Sequence, residues 1–281
     1  MTTTPATSTA PTAPAVAAPT LARAAALPAE EVDRYQRDGH LLVPGLATRA
    51  EAEHFAPVIA AATARHTESA IPLAERDTYG KAFLQVMNLW REDEAVARFV
   101  LADRFAAVAA QLLGVPRVRL YHDQALFKEP GGGYTPWHQD AMYWPLDGHR
   151  CITMWMPLCD IVPEMGGLTF ATGSHLSGPL SDVTISDASE AHFESILGGF
   201  PLAAPRPMRA GDATFHSGWT VHKAGGNTTD MMRAVMTVIY FADGLTVAPP
   251  SNSSQENDLR TWLPGLRPGD VAASEVNPLL G

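Results

Sequence analysis

The chain has 281 residues and a formal charge of -10 at neutral pH, with 30 acidic against 20 basic side chains. That length suits one large domain or two small ones around a substantial core. An acidic balance with no basic block excludes a nucleic-acid or anionic-membrane binder, and without a run of about 18 apolar residues to span a bilayer the expected location is the cytoplasm.

Residues 1–26 are rich in Ala, Thr and Pro, and Arg23 is their one charge. They lack the basic start and compact apolar stretch of a secretory signal and read as a disordered tail. A single domain is expected from 27 to 281, helical to about residue 114. Pro28-Ala29-Glu30-Glu31 opens a helix through about Gln36, Gly39 stops it, and His40 to Val43 is a short strand ended by Pro44-Gly45. Thr48 with Glu51 three residues on has capping-box spacing and starts a second helix to about His66. Glu94 to Leu113 reads as one amphipathic helix, with Val96, Phe99, Val100, Phe105, Val108 and Leu112 on its apolar side and Gly114 past its end.

After Val115 the texture changes to runs of about five to eight β-branched and aromatic residues between Gly/Pro turns. The candidate strands are Arg117 to Lys128, Cys151 to Leu158, Leu168 to Ala171, Ala213 to His216 and Ala234 to Phe241. Helices followed by short strands predict a mainly β fold with flanking helices on an antiparallel sandwich or barrel. Ser177 to Ala204 reads as a long polar insertion of the kind that forms lids, and Pro249 to Gly281 as a tail packed along the surface. Cys151 and Cys159 lie on what reads as one extended stretch, Arg150 to Ile161, about 26 Å apart at roughly 3.3 Å per residue. That is too far for a disulfide, so two buried thiols are expected.

His138 and Asp140, in Pro136-Trp137-His138-Gln139-Asp140, follow the turn Gly131-Gly132-Gly133. On a strand, residues two apart point the same way and can reach one ion. Two imidazoles and a carboxylate occupy one face of an octahedral iron(II) ion and leave positions open. The third ligand is His222 or its competitor His216. His122-Asp123 is a poor chelate, because neighbours on a strand face opposite ways. His40, His54 and His66 read as surface or helix-edge residues. Arg233, at the mouth of the apolar run to Phe241, needs an anion: either a carboxylate of the chain or one from outside, for which guanidinium is a bidentate partner. The aromatic stretch Met142-Tyr143-Trp144-Pro145, with Trp137 and Trp219 beside the histidines, supplies either core or a wall for a hydrophobic small molecule.

Three blocks, KEPGGGYTPWHQD from Lys128, WMPLCDIVPEMGGLTFATGSH from Trp155 and GDATFHSGWTVHKAGGNTTDMMR from Gly211, together with the opening EEVDRYQRDGHLLVPGL from Glu30, resemble the phytanoyl-CoA dioxygenase family. The resemblance implies a double-stranded β-helix (jelly-roll, cupin-like) core from about residue 115 and an oxygenase using iron(II), 2-oxoglutarate and dioxygen. It implies His138, Asp140 and His222 as metal ligands, and Arg233, Gln124 and Trp155 as cosubstrate contacts. Gly173-Ser174-His175 matches a structural turn of the family, with Thr172 where proline is usual. Ala224 stands where a hydroxyl residue is common. Asp140, kept where related halogenases carry a small residue, argues against halogenation. Arg-over-Lys usage and high Ala content fit a GC-rich bacterium, and the chain resembles small members that tailor natural products such as aromatic polyketides. The outcome is hydroxylation, cyclisation, desaturation or epimerisation. A zinc hydrolase or a non-catalytic ligand-binding jelly roll remains open as the alternative, although no glutamate stands beside His222 to act as its base.

Overall fold

The computed structural model describes residues 19–23, 26–68 and 71–281. Most of the expected 1–26 tail therefore lies outside the described residues. Inside its described part, Leu21 is buried in the core and its carbonyl accepts from the Arg104 amide, so packing starts before Leu27.

The N-terminal part runs α1 (Ala29–Asp38), β1 (His40–Val43), α2 (Arg49–Thr67), α3 (Thr78–Ala82), β2 (Leu84–Met87), α4 (Glu94–Val100) and α5 (Asp103–Leu113). The capping box at Thr48 and Glu51 forms, and Gly39 and Gly114 end α1 and α5 in the left-handed region that favours glycine. The single helix expected over Glu94 to Leu113 is two. Asp93 caps the first, and Ala102 turns extended before the second. In one helix Phe99 and Phe105, six apart, would face different sides; the break brings their rings edge to face at 5.0 Å.

The rest is β3 (Val118–Lys128), β4 (Thr135–His138), β5 (Leu146–Asp147), β6 (Cys151–Pro157), β7 (Leu168–Ala171), α6 (Asp187–Ile196), β8 (Leu202–Ala203), β9 (Ala213–Ser217), β10 (His222–Ala224), β11 (Arg233–Ala242), β12 (Thr246–Val247), α7 (Ser253–Trp262) and β13 (Leu279–Leu280). A large antiparallel sheet has the order β1-β9-β6-β11-β3-β13, with β2 also on β3. A smaller sheet, β4-β10-β7-β8, faces it, and β12 pairs with β5. This is the jelly-roll layering expected for the core. The insertion expected at Ser177 to Ala204 is not plain loop, because Ser186 caps α6 inside it and β8 joins the small sheet. No helix among the described residues is long and apolar enough to cross a membrane.

Alternation along the strands divides the large sheet. Leu120, Ala125, Phe127, Ile152, Met154, Phe215, Met236 and Val238 pack against the helices. Gln124, Thr153, Trp155, His216, Arg233 and Thr237 line a cavity of about 470 Å³ on the other face. One detail of β3 makes this possible. Leu120 pairs with Tyr240 and His122 with Ile239, so Tyr121 is an extra, unpaired residue. Such a bulge shifts the parity of the strand. Before it the even residue Leu120 faces the helices; after it the odd residues Ala125 and Phe127 do. His122, Gln124 and Leu126 are thereby turned into the cavity. Asp123, on the opposite face, accepts from the Leu89 and Trp90 amides, and burial pushes its carboxyl up to about 7.

The two thiols are free, as the strand spacing requires; Cys151 is buried and Cys159 only half-buried. His40 is not at a helix edge. It lies in β1, opposite His216, and its ring stacks on Phe170 at 4.6 Å.

Candidate active site

The cavity is walled by β3, β6, β9 and β11 on one side and by the small sheet on the other. At its floor, one ligand atom each from His138, Asp140 and His222 lies within 4.8 Å of the others. His138 ends β4 and pairs directly with His222 at the start of β10. Asp140 is not on the strand. It opens a short 3-10 turn, Asp140–Tyr143, yet Gln139 is still extended, so the two-residue alternation carries through. Gly218 lets this turn approach β9: a Cβ there would stand 2.6 Å from the Trp144 ring.

The tautomers suit a cation. His138 Nδ1 donates to the Pro136 carbonyl at 2.8 Å and His222 Nδ1 to the Thr220 carbonyl at 3.0 Å. Each ring then presents a bare Nε2, 3.4 and 3.7 Å from Asp140 Oδ1. A fixed N–H on one nitrogen is how proteins aim the other at a metal. Burial, together with neighbouring imidazoles, holds His222 well below its ordinary pKa, so the ring is neutral. Burial alone would raise Asp140, but the imidazoles gathered around it, His222 first, hold its carboxyl well below the ordinary carboxylate range. Two imidazole nitrogens and one carboxylate fit a divalent cation.

The other carboxylate oxygen is positioned by the chain. Asp140 Oδ2 accepts from the Thr153 hydroxyl at 2.8 Å, and His216 Nε2 lies 3.2 Å away. The competitor histidine is therefore present beside the three, with its ring 4.3 Å from that of His222, but as a neighbour of Asp140. Thr153→Ala is expected to weaken iron(II) binding about tenfold, the lower end for losing an outer partner of a metal ligand, with little change in melting temperature. Competition against a chelator reads the affinity, and an unchanged value would refute the positioning role.

Arg233 opens β11 and is 1% exposed. Its guanidinium donates to the Gly166 carbonyl and sits 5.4 Å from the Trp155 ring, while its Nε has no partner. Among the described residues no carboxylate pairs with it, which answers one of the two readings of the sequence. Burial lowers its pKa to about 10, still charged at neutral pH. A buried guanidinium without an anion, opening into a cavity, has the chemistry to take a carboxylate. Lys128, opposite Arg233 in register, is also buried, and burial pushes its ammonium down to about 6.

Gln124 and Trp155 also line the cavity, and Gln124 accepts from Gln85 at 3.0 Å. Ala224 offers no hydroxyl, but it stands opposite Thr135, whose buried hydroxyl lacks a partner and faces the cavity. The Gly-Ser-His turn is structural: Ser174 accepts from the Val221 amide, bracing the approach to His222. Tyr143 and Trp144 are cavity walls; Trp137 packs instead with Phe193 and Val221.

Two parts of the site were not read from the sequence. Tyr79, Phe83, Gln85 and Met87 reach it from α3 and β2. The segment expected as a surface tail contains α7, capped by Asn252, and its Ser254, Asp258 and Trp262 line the cavity. Polar Asn252 three residues before Gln255, ahead of Trp262-Leu263, was the available signal for that helix.

Residues 27–235 match the family profile described as phytanoyl-CoA dioxygenase (PhyH). The phytanoyl-CoA dioxygenase domain-containing protein 1 of Danio rerio is 31% identical over 142 residues, covering 47% of this chain and 48% of its own. The chain thus spans about half the length of the first such curated relatives. The ectoine dioxygenase of Stutzerimonas stutzeri is 27% identical, with 80% of each chain covered. Among solved structures, the non-heme alpha-ketoglutarate-dependent carbocyclase SnoK from nogalamycin biosynthesis superposes with a TM-score of 0.72 at 27% identity, covering 91% of this chain and 97% of that one. The epimerase SnoN in complex with Fe3+, alpha ketoglutarate and nogalamycin RO gives 0.71 at 28%, covering 90% and 98%.

Proposed function

The chain belongs to the phytanoyl-CoA dioxygenase family, and on that premise we propose that it is an iron(II)- and 2-oxoglutarate-dependent oxygenase that oxidises a C–H bond of a hydrophobic small molecule. The observation that carries this reading is Arg233. Its unpaired guanidinium opens into the same cavity as the His138, Asp140 and His222 donors. In a zinc hydrolase or a non-catalytic ligand-binding jelly roll this buried cation would have to serve some other anion.

Iron would be held by His138, Asp140 and His222. When bound with 2-oxoglutarate it supplies the oxidising power, as dioxygen converts the cosubstrate to succinate and carbon dioxide. Arg233 binds the far carboxylate of the cosubstrate, and Trp155 packs against the guanidinium and keeps it dry. The Thr135 hydroxyl takes the hydrogen-bonding place that Ala224 vacates. Gln124 borders the cosubstrate from β3, its carboxamide fixed by Gln85. Thr153 and His216 hold Asp140 so that one oxygen remains for the metal. Leu126, Leu168 and Ile239 exclude water from the walls.

The substrate is a bacterial secondary metabolite such as an aromatic polyketide, and the role is antibiotic tailoring. The support is the likeness to a carbocyclase and an epimerase from nogalamycin biosynthesis, and the aromatic walls Tyr143, Trp144 and Trp262. Hydroxylation, or cyclisation or epimerisation in which oxygen does not stay in the product, are the outcomes. Mixing the protein anaerobically with iron(II) and 2-oxoglutarate is expected to give a weak visible charge-transfer band requiring both. Tight zinc binding without such a band would sink the reading.

A further inference from the structure

The end of the cavity away from Arg233 is built differently from the rest. Helix α7 presents Ser254, Asp258 and Trp262 to it, spaced four apart and so on one face. The helix is tied down where it meets the site: Asn252 and Gln255 both donate to the Met142 carbonyl, two residues past Asp140. Asp258 is 9% exposed. Its Oδ2 accepts from the Tyr121 hydroxyl at 2.9 Å, and Tyr121 is placed there by the bulge in β3. No cation pairs with Asp258 among the described residues, and burial pushes its carboxyl up to about 7.

A second observation points the same way. His122 is 2% exposed and lines the same end, and its Nδ1 has no partner. Burial holds that imidazole neutral, with a pKa down to about 3. Its ring lies 5.1 Å from that of Trp262, and Tyr143 and Trp144 complete the wall. A carboxylate with neutral donors but no countercharge, an imidazole with an unpartnered Nδ1 and electron-rich rings all favour a hydrogen-bonding cation.

The charges elsewhere in the cavity are already assigned. Asp140 belongs to the metal donors, and Arg233 faces the cosubstrate carboxylate. The lining acids that remain are Asp258 and, on the α3 side, Asp77, with no lysine or further arginine among the lining residues. An anionic substrate would meet these acids, whereas a cationic one would give Asp258 the countercharge that its neutral neighbours Tyr121 and Trp262 do not supply.

We propose that Asp258, His122 and the Trp262 ring form a subsite for a basic amine, and that the substrate is a hydrophobic molecule carrying one. This rests on the oxygenase reading for what the rest of the cavity holds, but its recognition chemistry is separate. Asp258 is not one of the metal donors, so it orients the substrate and takes no part in oxidation.

Tryptamine and tryptophol, equal in shape and differing in charge, are the probes. Equilibrium dialysis under nitrogen against the protein loaded with iron(II) and 2-oxoglutarate is expected to show tryptamine bound at least about tenfold tighter, a modest gain for a partly desolvated charged contact. Asp258→Asn should bring the two within about twofold, while Tyr121→Phe, which keeps the carboxylate, should retain the preference. Equal binding of the two probes, no saturable tryptamine binding into the millimolar range, or a preference that survives in folded Asp258→Asn overturns the proposal. The wild-type comparison needs no variant to fold. The visible band of the loaded protein reports separately on iron and cosubstrate: a band without amine preference removes the subsite alone, and amine preference without a band removes the oxygenase reading alone.

Discussion

His222→Ala is expected to abolish the visible band with iron(II) and 2-oxoglutarate and to lower succinate release by well over the roughly hundredfold ceiling for losing an outer-shell partner. The geometry makes the loss larger than that of one contact. His222 is one of the two imidazoles grouped with Asp140 as metal donors, and it sits at the paired junction of β4 and β10. Without it, His138 and Asp140 remain as a two-point grip, and His216 is engaged with the wrong oxygen of Asp140 to replace it. The fold should survive, because the neighbouring backbone is held by Ser174 on the Val221 amide and by Thr220 on the Gly39 carbonyl. A His216→Ala variant is the internal standard: it should keep the band with weakened iron affinity. A His222→Ala protein that forms the band as the wild type does would show that the metal donors are misassigned.

The contrast between these two histidines shows what a sequence carries and what it does not. His138 and Asp140 were legible as a pair because one short segment presents both side chains the same way, and His222 and Arg233 joined them through the resemblance of their block to the family. The position of His216 was not. Six residues before His222, it arrives on a different sheet, because the chain crosses from β9 to β10 between them. Gly218 marked the bend, but only the fold shows that the bend carries His216 to Asp140.

The fold was legible where local chemistry is strong, as at the Thr48 capping box, the glycine stops and the long apolar strands. It was obscure where one residue changes the register. The unpaired Tyr121 decides which side chains of β3 face the cavity, and nothing in the run Val118–Lys128 announces a bulge. The break at Leu101 and Ala102 has no proline or glycine and is fixed by packing of Phe99 on Phe105. Helix α7 was hidden for another reason. Its polar composition reads as solvent-facing, whereas Asp258 and Trp262 are the polar and aromatic wall of a site. A polar face turned inward looks like surface until the cavity is known.

Arg233→Met tests the cosubstrate site most sharply, because its effects on stability and on binding should have opposite signs. In the free protein the guanidinium is buried with no anion, and the lowering of its pKa from 12.5 to about 10 corresponds to on the order of 3 kcal/mol held against the charged form. Lys128 lies opposite and is disfavoured by the same charge. A methionine of similar length removes both penalties and keeps the packing on Trp155. The variant without cosubstrate should therefore melt no lower than the wild type, and higher if the relief is realised. The sign also fixes the pH dependence. The folded pKa lies below the unfolded one, so between about pH 10 and 12.5 the unfolded state binds more protons and wild-type stability gains with rising pH. The Arg233 share of the variant's advantage should hold below pH 10 and shrink above it, while the Lys128 share shrinks as pH rises through about 6. Binding runs the other way. A buried carboxylate left without its cation costs about 3 kcal/mol or more, so 2-oxoglutarate affinity should fall at least about a hundredfold. Because a ligand raises stability in proportion to the logarithm of its concentration over its dissociation constant, the thermal shift with millimolar 2-oxoglutarate should all but disappear. A variant that melts lower yet keeps the full shift would make Arg233 a structural cation and require another anchor for the far carboxylate. A variant that melts as high and loses the shift separates the cost of keeping the charge buried from the reason it is kept.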